Sequence, residues 1–338
     1  MDYEAFVKNF KPDPMRLAAV RGSLERAGID SIGDVRLDSA ESNTAIYHFL
    51  RDLEFVKAQV LEVKYPDLTA MDIFPVDRTT PEGAEEATYE VVDFIGGAKI
   101  QANHANDIEE ADFTMKPITA RIKQVENFYQ YSFRDIRAAQ FANRPLQTLK
   151  ARASQRRIEE QLNRLAWVGD AAFNILGILS VNNGVTRSPL ADTMANLTPE
   201  ALNDAITAQA SAMNRTSRGI FSPDTLALPP GQYDRLFDAR FTQSTDLSPG
   251  QWILKNNRHI KRIVQAPELM GDSGMNPSGA DVAVLFQYNK EFMSVEVPMP
   301  PTMRAPFPTL TGFQVLNEAR SGGAFIKQPL SMRILTNI

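Results

Sequence analysis

A chain of 338 residues with a net charge of -5, 43% hydrophobic and 23% charged residues has room for roughly two domains and the composition of an ordinary globular protein. Its acidic balance excludes tight nucleic-acid binding by the chain as a whole, because that needs a strong basic excess. The absence of cysteine excludes disulfides, thiolate chemistry and cysteine-ligated zinc together.

The first residues, MDYEAFVKNFKPDPMRL, contain no apolar signal core. No later run approaches the roughly 18 apolar residues that cross a bilayer, so a soluble, unexported chain without membrane contact is expected. Residues 1-80 read as an arm. Lys11-Pro12-Asp13-Pro14 breaks any early helix, and Gly22, Gly28 and Gly33 punctuate polar segments. One amphipathic helix is expected from about Asn43 to Val63, with Ile46, Leu50, Leu53 and Val60 on one side. Pro66, Pro75 and Pro81 then mark an extended passage that needs something else to lie on.

Thr88 to Phe94 reads as a strand and Pro117 to Phe133 as a longer one. Between them lie more than 20 residues rich in Gly, Asn and acids, and loops beyond about 12 to 15 residues are unusual in compact domains unless they are functional or disordered. The alternative to a surface excursion is a projecting hairpin that orders against a neighbouring molecule. In the returning strand Ile118, Ala120 and Ile122 share one parity while Val125, Tyr129, Tyr131 and Phe133 share the other, which predicts a bulge near Lys123 to Glu126. Ser132 with Asp135 predicts the cap of a short helix running through Phe141.

Pro145 to Gly169, PLQTLKARASQRRIEEQLNRLAWVG, reads as one long polar helix, opened by Pro and stopped by Gly. It would span roughly 35 Å. Leu146, Leu149 and Ala153 fall on one side, and Ala151, Ile158, Leu162 and Leu165 nearly opposite. The expectation is a strut whose two ends bury different faces. An apolar loop follows, with Gly177 and a turn at Asn183-Gly184. Helices are then predicted at Thr198-Pro199 onward, Pro230 to Phe237 and Ser248 to Lys255. Strands are predicted at Thr225 to Leu228, Ile260 to Gln265, Val282 to Tyr288 and Phe292 to Val297, giving a mixed α/β region. Thr311 to Ile338 returns to β structure, with Gly322-Gly323 as a hairpin turn.

The three histidines, His48, His104 and His259, have no second histidine at metal-binding spacing, and each reads as a surface or interface residue. Gly271-Asp272-Ser273-Gly274 copies the string around the nucleophile of chymotrypsin-like proteases, but here it lies in a turn-rich stretch between two strands and reads as a loop. No Gly-rich phosphate loop occurs. Glu82, Glu85, Glu86 and Glu90, and then Asp107, Glu109, Glu110 and Asp112, lack the alternating ligands of a calcium loop and read as solvated or interface charge. Lys255, Arg258, Lys261 and Arg262 form a basic cluster, read as a solvated or subunit-contacting face. No enzyme activity, cofactor or metal is therefore expected. An arm, a long projecting loop and a strut-like helix without catalytic groups are the parts of a chain that touches copies of itself.

The order of these parts resembles the major capsid protein of tailed bacteriophages, the Hong Kong 97-type shell fold that encapsulin compartments also use. The likeness begins near Thr88 and runs to the C-terminus. Its most specific piece is RIEEQLNRLAWVGDAAFNILGILSVNNGV, where the long helix ends at a Gly before a small-residue loop and the turn Gly177-Ile178-Leu179-Ser180 with Asn182. Gly96-Gly97-Ala98-Lys99, the Tyr129-to-Phe133 strand and Ala319-Arg320-Ser321-Gly322-Gly323 add to it. Ser180 stands where the family often has asparagine.

The resemblance implies an α+β fold with an N-terminal arm over 1-80 and a peripheral domain over 81-190, holding an extended E-loop at 94-117 and a spine helix at 145-168. An axial domain over 191-300 and a return to the peripheral domain over 301-338 complete it. It implies a structural protein that assembles as hexamers and pentamers into an icosahedral shell around double-stranded DNA, without sequence-specific binding, in the virion and assembled in the host cytoplasm. Portal, scaffolding and decoration proteins are the implied partners. The alternatives are an encapsulin-type compartment and, from another class, a serine hydrolase using Ser273. Residues expected at contacts between subunits are Lys99, His104, Asp107, Glu109 and Glu110 of the loop and Arg152, Arg156 and Arg157 of the helix. Some relatives join a loop lysine to a neighbour's asparagine, and Lys99 and Lys116 are the counterparts here, although most relatives lack the bond. An arm that is not cleaved is expected.

Overall fold

The computed structural model describes residues 65–100, 109–141, 146–238, 240–241 and 246–338. The chain divides into two units, Met1–Val63 and Lys64–Ile338, and every described residue lies in the second. The helix expected from Asn43 to Val63 lies outside the described residues.

Part of the stretch that reads as an arm belongs to the core. A single helical turn, α1 (Ala70–Ile73), leads through Phe74 into β1 (Val76–Asp77), which pairs in parallel with β11 (Met293–Glu296). Ala70, Ile73 and Phe74 are buried, and the Phe74 ring lies 5.0 Å from Trp167 and 4.9 Å from Phe286. A cluster this short has no periodicity to reveal it, since only neighbours distant in sequence make it core.

β2 (Glu86–Ile95) and β3 (Asp112–Arg121) form a two-stranded antiparallel ribbon, with Glu86 opposite Arg121 and Ile95 opposite Asp112. At ten residues per strand it is about 34 Å long. The long strand expected from Pro117 to Phe133 is two strands. The break falls at Ile122, which is buried and donates its N–H to Glu85 O at 2.8 Å, and β4 (Lys123–Ser132) then leaves the ribbon for another sheet. No bulge is needed, because the parity changes where the chain changes partner. β4 pairs along its whole length with β14 (Gly312–Ser321), whose other edge carries β12 (Met299–Met303) and β13 (Phe307–Thr309).

α2 (Phe133–Phe141) starts with the expected reciprocal cap: Asp135 N–H donates to Ser132 Oγ at 3.0 Å and Ser132 N–H to Asp135 Oδ2 at 3.2 Å. α3 (Leu146–Trp167) is the long helix. From Ser154 onward it keeps one buried face, while Leu149 nearer its start is half-buried. Ser154, Ile158, Leu162 and Leu165 form one buried stripe, while Ala153 is exposed. Ile158 and Leu162 pack on Ala319 of β14, and Ser154 is buried because it is bonded: its hydroxyl donates to Asn127 Oδ1 and Asn127 Nδ2 donates to Ser154 O at 2.8 Å. A polar residue in the stripe hid its continuity. At the C-terminal end Ala166 and Trp167 join the main core, so there the helix is buried on a wider front.

The turn after α3 explains its own sequence. Ile178 N–H donates to Ala166 O at 3.0 Å, Leu179 N–H to Trp167 O at 2.7 Å and the Ser180 hydroxyl to Val168 O at 2.7 Å. These carbonyls would otherwise end the helix unsatisfied. β5 (Gly169–Asp170) then pairs antiparallel with β6 (Ile175–Leu176); Gly169 has φ +76°, and a Cβ there would meet Ile175 O at 2.3 Å.

β7 (Thr186–Pro189), β8 (Thr225–Leu228), β9 (Arg262–Gln265), β10 (Ala283–Phe286) and β16 (Met332–Thr336) form a five-stranded sheet in the order β7-β16-β10-β8-β9. β8 and β10 are buried on both faces, which is why Leu226 to Leu228 and Ala283 to Phe286 read as apolar without alternation. Ala227, Val284, Phe286 and Ile334 face the core with Phe74 and Trp167. Leu226, Leu228, Leu285 and Leu335 pack with Ile206 and Ala210 of α4 (Pro199–Thr216), Leu236 of α5 (Pro230–Asp238) and Ile253 of α6 (Pro249–Asn256). Ser248 and Gln251 make a full capping box on α6.

The Gly322-Gly323 step is not a hairpin. β14 and β15 (Gly323–Ile326) do not pair with each other; β15 pairs antiparallel with β11, so the glycines turn a corner from one sheet into the next. Gly323 has φ +73°, and a Cβ would lie 2.5 Å from Ile175 Cγ2 and 2.6 Å from Leu176 O.

Candidate assembly surfaces

The β2–β3 ribbon leaves the body as a bare two-stranded sheet. Opposed residues share a face, so Val92 with Met115 and Phe94 with Phe113 make an apolar quartet at its distal end, and all four are exposed. Nearer the body the same face carries Thr88 and Thr119, whose hydroxyls lie 3.0 Å apart, and the Glu86–Arg121 ion pair. Alternation from Thr88 to Phe94 shows half of this quartet in the sequence, but only the register joins it to Phe113 and Met115.

The base of the ribbon is held by a buried ionic cluster. Tyr89 stacks on Phe325 at 4.7 Å, and its hydroxyl donates to Glu296 Oε1 at 3.0 Å with Asp77 Oδ2 at 3.3 Å. Glu296 is 0% exposed and also accepts from the Ser294 hydroxyl at 2.9 Å. Asp77 accepts from Thr79 N–H and hydroxyl, and Lys290 Nζ lies 3.0 Å away. Burial alone would raise the Asp77 carboxyl, but the Thr79 bonds and the Lys290 ammonium outweigh it and bring it from 3.8 down to about 2. Burial, then the neighbouring Glu296 and Asp77 charges, push the Tyr89 phenol up. Lys327 Nζ sits 4.2 Å from the Tyr89 ring centroid, and burial lowers its pKa despite the attraction of the two carboxylates. Sequence reasoning missed this cluster, whose members come from four separate segments.

Of the expected contact residues, His104 and Asp107 lie outside the described residues. Lys99 Nζ pairs with Glu109 Oε1 at 3.1 Å across the loop, and Glu110 is exposed. Lys116 is exposed on β3. Arg152 and Arg157 are exposed on α3, and Arg157 Nη1 pairs with Glu160 Oε2 at 2.8 Å. Arg156 is turned inward to its own chain: it pairs with Glu160 Oε1 at 3.2 Å, donates to Pro66 O and lies over the Tyr65 ring at 5.9 Å. It pins the described chain where it enters.

Ser273 does not form a nucleophile site. Its hydroxyl donates to backbone carbonyls, Glu268 O at 2.9 Å and Met270 O at 2.7 Å, and accepts from Met275 N–H at 3.2 Å, which makes it the knot of a turn. His259 bonds instead to Ser222 Oγ at 2.8 Å. No group of three or more acid or histidine side chains among the described residues is arranged to hold a metal. No described helix is long and apolar enough to cross a membrane.

A ribbon of exposed apolar pairs, a helix-backed long sheet and a second α/β layer, with no catalytic constellation among the described residues, define a subunit built for contact with other chains. The family model described as major capsid protein matches residues 96–338, and the chain belongs to that family. Membership makes it a structural protein of a phage shell. Among solved structures, the capsid of Myoviridae phage XM1 is similar with a TM-score of 0.75 at 17% identity, over 85% of this chain and 98% of that one. A structure titled Mycobacterium phage Bobi is similar at 0.57 and 13% identity, over 83% and 94% of the two chains. The capsid of a native gene transfer agent particle is similar at 0.59 and 12% identity, also over 83% and 94%. At such identities the likeness is one of fold. No curated protein sequence matches the chain.

Proposed function

We propose that this major capsid protein assembles as hexamers and pentamers into an icosahedral shell enclosing the double-stranded DNA of a tailed phage. The observation that carries the reading is the ribbon, whose distal quartet Val92, Phe94, Phe113 and Met115 is an apolar patch left exposed on a lone subunit. Exposed apolar patches of that kind mark contact surfaces. Each contact is modest in this reading, and stability comes from the number made at once.

In this reading residues 1-80 are the arm and 81-190 the peripheral domain, with 94-117 as the E-loop and 145-168 as the spine. Residues 191-300 form the axial domain and 301-338 return to the periphery. The loop residues Lys99, His104, Asp107, Glu109 and Glu110, with Arg152 and Arg157 of the spine, meet neighbouring subunits, while Arg156 stays with its own chain. Assembly takes place in the host cytoplasm with a portal and with scaffolding or decoration proteins, and DNA is enclosed without sequence-specific contact. No covalent cross-link through Lys99 or Lys116 is expected.

Electron microscopy of the purified full chain tests the core of this. Uniform shells with five-fold and six-fold clusters are expected, and monodisperse small oligomers under all conditions refute it. Nuclease-protected DNA inside shells recovered from infected cells separates a phage shell from an encapsulin-type compartment, which would hold a cargo protein. Boiled SDS gels of the particles should show only monomer. Ser273→Ala should abolish no hydrolytic activity.

A further inference from the structure

The five-stranded sheet has two ends of opposite charge. β8 and β9 run parallel, with Thr225 beside Arg262 and Leu228 beside Gln265, so both start at one end and finish at the other. β10 and β16 fix the same ends, since Phe286 pairs with Thr225 and Met332. At the starting end lie the last turn of α4, the last turn of α6 and the segments entering β8 and β9. They are tied together by the Ser222–His259 bond at 2.8 Å and by Lys261 N–H donating to Asp224 O at 2.8 Å. Arg215, Arg218, Lys255, Arg258 and Lys261 are all exposed there, and none has an ion-pair partner among the described residues.

The finishing end is acidic. Leu190 N–H donates to Thr336 O at 2.9 Å, which places the start of the Leu190-to-Pro199 connection there, and Arg235 of α5 donates to Ala195 O. Asp192, Glu200, Asp204 and Asp234 are exposed on these segments and also lack an ion-pair partner among the described residues. α4 joins the two ends over about 27 Å, with Glu200 in its first turn and Arg215 in its last. Its macrodipole alone accounts for one acid and one cation at its ends, not for the charges on α5, α6 and the connections. The basic end also exposes Ile220 (72%), Tyr288 (47%) and Leu254 (39%), so apolar surface lies among the cations as it does in a contact patch.

We propose that the basic end of this sheet docks on the acidic end of a second copy of the chain, head to tail, around the ring of each capsomer. This rests on the shell reading above and names the surfaces that close its rings. A head-to-tail contact uses two different patches, and a rotation that closes makes a ring. Complementary ends supply encounter rate and register, and like ends repel, which orients every subunit the same way round.

The test uses the full chain and two double variants, Arg258→Glu with Lys261→Glu and Glu200→Lys with Asp204→Lys. Sedimentation and electron microscopy measure assembly near physiological salt, and thermal melts confirm folding. Each double variant alone should lower the assembled fraction about tenfold or more, because two of the five cations, or two of the four acids, are replaced by charges that repel the partner's end at every ring contact. Mixed in equal amounts, the two should recover assembly, since the reversed basic end of one meets the reversed acidic end of the other. Alternation closes a ring of six and cannot close a ring of five, so the mixture should give six-membered rings with few five-membered ones. Double variants that melt and assemble like wild type, or a mixture no better than either alone beside normal wild-type shells, overturn the docking and leave the shell reading intact. A wild-type chain that forms no ring overturns both.

Discussion

Removing a single oxygen tests the cluster under the ribbon. Tyr89→Phe keeps the stack on Phe325 at 4.7 Å and the Lys327 ammonium over the ring at 4.2 Å, and deletes the bond to Glu296 Oε1 at 3.0 Å. Glu296 is 0% exposed, so water does not replace the lost donor. A hydrogen bond to a charged group is worth about 1.5 to 3 kcal/mol, and Ser294 still serves the same oxygen, which places the expected loss near 2 kcal/mol. For a unit the size of Lys64–Ile338 that is a fall in Tm of about 3 to 4 °C. Tyr89→Ala removes the stack and the cation contact as well, each worth about 0.5 to 1.5 kcal/mol, together with the buried ring surface, and should cost roughly twice as much. Calorimetry of the unassembled chain measures both, and hydrogen exchange should show faster opening of ribbon amides near Tyr89 in each variant. Tyr89→Phe melting with wild type, with Tyr89→Ala no worse than Tyr89→Phe, would refute the account of the cluster as the ribbon's anchor.

Asp77 gives a pH test: its carboxyl lies at about 2 when folded against 3.8 ordinarily, so its contribution of about 2 kcal/mol is fully present above about pH 4. That contribution is lost as pH falls through about 2, and Asp77→Asn should flatten this part of the stability curve from acid unfolding. Ile158→Ala, in the buried stripe of α3, should cost about 2 to 5 kcal/mol in denaturant titrations, while Ala153→Ser on the exposed side stays within about 0.5 kcal/mol. Equal costs would restore the two-faced helix. Gly323→Ala adds a Cβ 2.5 Å from Ile175 Cγ2 at positive φ and should sharply lower the yield of folded protein. Gly219→Ala, also at positive φ but with open space around it, should cost only about 1 to 2 kcal/mol in the same titrations.

The sequence determined every element whose signal is local. Ser132 with Asp135, Thr198-Pro199 and Ser248 set helix starts through bonds spanning three residues, Gly169 ends α3 because only glycine fits there, and the two-sided burial of β8 and β10 shows as apolar residues without alternation. Wherever a residue's neighbour lies far along the chain, only the tertiary structure decided. Phe74 became core through Trp167 and Phe286, Ser154 entered the buried stripe because Asn127 meets it, and Ile122 broke one strand into two because the partner strand changed. The Gly322-Gly323 pair shows the limit plainly: two glycines specify a bend, but which strand lies beyond the bend is fixed by the pairing of β15 with β11. The same holds for the surfaces. The acids and bases around the five-stranded sheet stand in plain view in the sequence, and their separation onto opposite ends comes from the strand directions together with the helices and connections that join the strands.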